Sequence, residues 1–206
     1  MKLIHKIIFL VLTSSAPFIS SAESIEAFDG FDWGTSRSSI IEVRGKPFHV
    51  SGTIMLYTDV KDKIGGYKVD DVFYVFKEGC SKLKESISEH CQLWYGAYAL
   101  EVNSEQDFKE LTKKISSLYG DYTVSQSSEE VTDYNDETVL AIETETTHRF
   151  QQADGSAVEV LKKEYDRDLE IHGNDKEAGI FSIAINYMSS EYTQNQKRKK
   201  IKNKDF

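Results

Sequence analysis

Long apolar runs are missing from this chain, and so are the signatures of the familiar catalytic and metal sites. The longest apolar stretch, residues 7–12 with a looser extension through Phe18 and Ile19, is too short for a transmembrane helix. No transmembrane segment is therefore expected. There is no nucleophile elbow, no zinc-binding His-Glu-x-x-His helix, no phosphate-cradling glycine loop and no calcium loop. A Cys-x-x-Cys redox pair is absent as well. The sequence thus assigns no catalytic residue, no cofactor and no metal ligand. His49, His90, His148 and His172 lie far apart, and His148 reads as a buried or edge histidine on a strand rather than as a base. Asp166, Asp168, Glu170, Asn174 and Asp175 lack the glycine and terminal glutamate spacing of a calcium loop and read as a solvated loop. Two carboxylates meeting in space for glycoside hydrolysis stay open, because 34 acidic residues supply many pairs.

Charge is distributed unevenly. The chain opens with a positive segment, Met-Lys-Leu-Ile-His-Lys, then the short apolar stretch, then Ser20-Ser21-Ala22. That order is a secretory leader, with cleavage expected after Ala22. No cysteine stands immediately after the cleavage point, so no lipid anchor is expected. Removing Lys2 and Lys6 from the 25 basic residues leaves 23 against 34 acidic ones, and six of those 23 crowd into residues 197–206. The body is strongly acidic and the end strongly basic. An acidic body argues against nucleic acid as a partner, since that footprint is a basic face. Periplasmic or secreted localisation in a bacterium is expected.

Two cysteines, Cys80 and Cys91, remain in the exported part. In an oxidising compartment a close even pair forms a disulfide. A metal site built with His90 competes, but has only three ligands. Leu83 and Ile87 between the cysteines have helical spacing, yet the pair suggests a segment folded back on itself, and both readings stand.

Residues 28–47 are the punctuation around which the chain is organised. Phe31 and Trp33 precede a short helix capped by Ser36, with Thr35 or a Ser39–Glu42 box as alternatives. Ile40, Ile41 and Val43 give it an apolar stripe; Gly45 and Pro47 end it. Trp33 reads as a buried anchor. Strands are expected at 53–57, 72–76 and 92–102, the last with Trp94, Tyr98, Leu100 and Val102 on one face and Tyr95 on the other. Ser104 to Asp107 resembles a capping box, and Phe108, Leu111, Ile115 and Leu118 line a second helix stopped by Gly120. Residues 121–138 read as a polar surface loop, with a short strand at its start as the alternative. Half-buried strands follow through Phe150, then an Asp154-Gly155 hairpin turn, a return strand to about Tyr165, a charged loop over 166–177 and a last strand at 180–188. The expected fold is α+β: an antiparallel β-sheet with two main helices packed on one face. Each half (28–102 and 103–188) has a capped helix followed by strands, which suggests a duplicated helix-plus-meander unit. One domain over 23–188 is expected, with 189–206 a basic, flexible tail.

Phe31-Asp-Trp33-Gly34, Ser36, Gly45-Lys-Pro47, Leu56-Tyr57 and the run at 73–76 resemble a widespread set of uncharacterised exported bacterial proteins. These share a Trp-Gly start, a short helix ending in Gly-x-Pro and a Leu-Tyr strand. The layout is similar to the small outer-membrane-assembly lipoproteins and to the repeat unit of β-lactamase-inhibitor protein, over residues 28–120. The absent anchor cysteine departs from the lipoproteins, and the resemblance transfers no catalytic or binding residue.

The functional expectation is a non-catalytic envelope protein that binds an unknown protein partner through its sheet or its acidic surface. The alternatives are an inhibitor of a hydrolase, with Trp94, Tyr95 or Tyr98 as anchors, and a hydrolase using carboxylates. Lys197, Arg198, Lys199 and Lys200 offer contact with anionic lipid headgroups or an acidic partner, against the plainer reading of a solvating tail.

Overall fold

The first two helices each begin on a serine that accepts a bond from their first turn. In the computed structural model, which describes residues 24–77, 80, 91–102, 104–132, 139–166 and 181–202, helix α1 spans Arg37–Arg44 and helix α2 spans Glu105–Tyr119. The Ser39 N–H donates to Ser36 Oγ at 3.1 Å, and the Asp107 N–H donates to Ser104 Oγ at 3.1 Å. Gly45 and Gly120 stop the two helices at φ 84° and 83°, where a side chain would be strained, and their N–H groups return to Ile41 and Ser116.

The strands are β1 (Ala27–Phe28), β2 (Phe31–Asp32), β3 (His49–Ser51), β4 (Ile54–Thr58), β5 (Lys63–Ile64), β6 (Tyr67–Phe76), β7 (Leu93–Leu100), β8 (Thr123–Thr132), β9 (Val139–Gln151), β10 (Ala157–Asp166) and β11 (Phe181–Met188). All pairings are antiparallel. The main sheet runs β3-β4-β6-β7-β11-β10-β9-β8, with β5 attached to β6. The order has an internal logic. Helix α1 precedes the meander β3-β4-β6-β7, and α2 precedes the meander β8-β9-β10-β11. The two meanders join through their final strands, Ile185 opposite Tyr98 at the seam. The fold is α+β, with one sheet built from two alike halves.

Strand periodicity sorts side chains onto two faces. One face carries cross-strand rows such as Met55, Tyr74, Gly96, Tyr187, Val158 and Phe150. Helices α1 and α2 cover it. Ile40, Phe108, Leu111 and Ile115 join Tyr74, Phe76, Val158, Val160 and Ile185 in one buried cluster. Trp33 packs against this cluster, and its Nε1–H donates to the Ile25 carbonyl at 2.5 Å.

The hairpin β1-β2 plugs the middle of that face. Asp29 and Gly30 form its two-residue turn at φ 55° and 77°, the positive pair that matches strand twist. The turn delivers Phe28 over Gly96, where a Cβ would collide with the ring. It also delivers Asp29, which accepts from Tyr74 Oη and, at 3.1 Å, from Tyr98 Oη, and pairs with Arg44. Arg44 reaches Asp62 at 3.0 Å. Burial pushes the Tyr74 and Tyr98 phenols well up, and the bonded Asp29 carboxylate adds to it. One aspartate thus ties the plug, the sheet and the end of α1 together.

Three expectations are corrected. Residues 121–138 are not simply a loop: β8 occupies Thr123–Thr132, held by pairing along β9 although its side chains through Glu130 are exposed. The segment after Ser189 is not a fraying tail over its whole length. Ser190–Lys202 forms helix α3, whose first turn is held by the Tyr192 N–H donating to Ser189 Oγ at 3.1 Å. Trp94 does not share a face with Tyr98, because a register shift between Val75 and Phe76 places an extra residue in β7 and turns Trp94 to the other side, under α3. The 166–177 loop, apart from Asp166, and the segment between the cysteines lie outside the described residues.

Candidate functional site

Among the described residues the second face of the sheet is covered over part of its area. Among the described residues only α3 lies on it, at one end. Ser189 N–H donates to the Trp94 carbonyl at 3.0 Å, and Lys77 pairs with Glu191 at 2.7 Å. The Tyr192 ring then sits 5.2 Å from Trp94 and 5.0 Å from Tyr95. Desolvation pushes the Tyr95 phenol up, and Tyr192 and Glu159 reinforce it.

Beyond that end the face divides by chemistry. Toward β4, β6 and β7 it presents Ile54, Leu56, Phe73, Val75 and Ala97; Ile54 is exposed, Leu56, Phe73 and Val75 are partly so, and Ala97 is buried. Toward β9 and β10 it presents charge held in pairs. Arg149 Nη1 donates to Glu159 Oε1 at 2.6 Å, and Lys163 Nζ to Glu143 Oε1 at 2.5 Å. The bond from Lys163 holds the Glu143 carboxyl below its usual value, with Tyr165 adding a second. An apolar patch beside a rim of paired charges is the composition of a protein interface: an apolar centre that sheds water and polar edges that stay wet.

Two clefts stand out among the described residues. One, about 520 Å³, sits between α2 and β9 and is lined by Lys109, Thr112, Lys113, Ser116, Ser117, Tyr122 and His148. Thr112 Oγ1 and His148 Nδ1 are 3.1 Å apart, and Tyr122 stacks on the imidazole. Burial pulls the imidazole below its usual value; Glu105 opposes this and Lys162 adds to it. The other, about 590 Å³, lies at the end of β6, β7 and β11 among Asp70, Asp71 and Glu101. Glu101 is paired with Lys68 at 2.5 Å, and burial raises Asp71, with Asp70 and Asp59 adding to it.

Of the residues singled out from sequence, Trp94 and Tyr95 meet on the Tyr192 ring, the two cysteines pair, and the rest lie apart. Cys80 and Cys91 are joined by a disulfide with Cα atoms 5.2 Å apart, next to α1, where the Arg37 N–H donates to the Cys91 carbonyl at 3.1 Å. Tyr98 is only 4% exposed on the helix-covered face and bonded to Asp29, so it is a structural residue rather than a surface anchor. Trp94 is 7% exposed and serves as the seat of Tyr192. Tyr95 alone of the three stays partly open on the second face. Lys197, Arg198, Lys199 and Lys200 lie on the outer turns of α3, all exposed. Phe73, Val75 and Leu56 enter the sequence reading only as strand residues, not as site candidates. They stand in ordinary strands, and only cross-strand register reveals that they share an open face. Among the described residues no helix is long and apolar enough to cross a membrane, and no His, Cys, Asp and Glu cluster could hold a metal ion. Comparison with known proteins finds no matching family model, no matching curated protein and no matching solved structure.

Proposed function

We propose that this chain is an exported, non-catalytic protein-binding module that takes its partner on the open face of the sheet. The supporting observation is the row Leu56, Phe73 and Ala97, flanked by Ile54 and Val75, which leaves apolar area beside the Arg149–Glu159 and Lys163–Glu143 pairs. A face meant only for water would carry polar side chains at these alternate positions. Export is supported by the leader-like start and by the disulfide.

Crosslinking in cells with intact envelopes, followed by capture, tests the reading. The wild-type chain should recover one reproducible protein. Phe73→Glu and Leu56→Glu should abolish that recovery while thermal melting stays within a few degrees, and Lys113→Glu on α2 should not. Recovery unaffected by Phe73→Glu refutes the reading.

A further inference from the structure

Helix α3 changes character halfway along. Its first two turns rest on the sheet, with Tyr192 on Trp94 and Tyr95 and with Thr193 buried. From Lys197 onward every residue through Lys202 is exposed. This outer part reads Lys-Arg-Lys-Lys-Ile-Lys and holds no acid; Glu191 is the helix's single acidic residue. One or two cations would serve the dipole at a helix C-terminus. Five are present. The pairs Lys197/Lys200, Arg198/Lys202 and Lys199/Lys202 stand at i+3 or i+4 and repel each other. The charges also sit all round the helix, because consecutive positions are rotated by about 100°. This is a cationic knob, not one basic stripe lying on the chain's own acidic body. Among the described residues Lys197, Arg198, Lys200 and Lys202 form no ion pair, and Lys199 acts on the Tyr192 phenol.

We infer that the outer half of α3 docks this protein onto an anionic phospholipid surface. One observation selects lipid over an acidic protein or nucleic acid. Ile201, 63% exposed among the cations, is an apolar side chain placed where a headgroup layer gives way to acyl chains. The dimensions fit as well. Six helical residues project about 9 Å, close to the screening length of about 8 Å at physiological salt. The strongly acidic body is therefore held at a distance where its repulsion from the same surface is damped, while the five cations lie within about one screening length of it. Each cation near such a surface multiplies the partition coefficient by roughly five. This docking is independent of any partner on the open sheet face.

The test is sedimentation of the protein, isolated from the envelope fraction, with vesicles of phosphatidylcholine alone or with about one third phosphatidylglycerol. Binding to the mixed vesicles should exceed that to neutral ones by at least about tenfold at about 0.05 M salt, and reverse at about 0.5 M. A retained leader would add binding that salt does not reverse, so the salt-reversible fraction is the readout. Replacing Lys197, Arg198, Lys199, Lys200 and Lys202 together by Gln should abolish it, with the melting curve unchanged. Ile201→Ser should lower it several-fold, and the pair Lys109→Gln and Lys113→Gln on α2 should leave it intact. Equal binding to both vesicles, survival in the five-residue variant, or capture by immobilised polyglutamate but not by the mixed vesicles overturns the inference.

Discussion

Phe28 fills the space that Gly96 leaves in the centre of the sheet. Its ring lies 4.7 Å from Tyr98 and 5.4 Å from Tyr74, and it is 2% exposed. A methyl group at position 96 would overlap the ring. Gly96→Ala should therefore cost at least about 2 kcal/mol by overpacking, and Phe28→Ala about 3–5 kcal/mol by leaving a cavity. The double variant should cost less than the sum, because the alanine methyl then enters vacated space. Urea unfolding of the four proteins measures this coupling. Strict additivity would show that the ring and the glycine do not share that space.

Removing the Asp29 carboxylate strands the Tyr74 and Tyr98 hydroxyls and takes from the Arg44 guanidinium one of its two carboxylate partners, leaving Asp62. Asp29→Ala should destabilise by about 2–4 kcal/mol. Tyr98→Phe removes one donor and should cost about 1 kcal/mol. Asp29 also sits at φ 55°, so Asp29→Gly should lose less than Asp29→Ala, the backbone strain being relieved. Chemical denaturation of the three variants orders them.

Reduction of the Cys80–Cys91 disulfide should lower stability by about 3 kcal/mol in the chain-entropy account for a loop of this length. The Cys80→Ser/Cys91→Ser double variant should match the reduced protein and should no longer respond to reductant. Thermal melts with and without dithiothreitol decide it.

His148 should make stability depend on pH. Its folded value lies below the ordinary one, chiefly through burial under Phe108 and Tyr122. The unfolded chain thus binds a proton more readily than the folded one. Stability should be fully present above about pH 6.5 and fall as pH drops toward the folded value, flattening below it. His148→Gln should remove that slope. Imidazole proton shifts followed by NMR give the folded value directly, and a midpoint at or above 6.5 would be the wrong sign.

What could be read in the sequence was local chemistry; what could not was distance. Ser36, Gly45, Ser104 and Gly120 each impose a bond or a dihedral within a few residues, and their roles stand. Asp154-Gly155 marks a hairpin, and the same dipeptide at Asp29-Gly30, between Phe28 and Phe31, makes one too. That second turn passed unnoticed because its strands have only two residues each. Strand β8 gave no alternation because its side chains through Glu130 are all exposed, and it exists through its ladder with β9. Helix α3 gave no apolar stripe because one ring, Tyr192, anchors it. The open face was illegible for a different reason: Leu56, Phe73 and Ala97 become a row only through pairing across three strands. A single bulge moved Trp94 off the face its spacing implied.

The seam between the halves has a consequence for how the molecule comes to exist. Leu100 on β7 finds its neighbour, Ile183 on β11, only about eighty residues further along. A growing chain can complete the first meander early, yet its innermost strand must then wait with one edge bare until nearly everything else has emerged. The strand that closes the sheet is the last to arrive. Truncation anywhere before residue 181 would therefore leave two sticky borders instead of a smaller, working half.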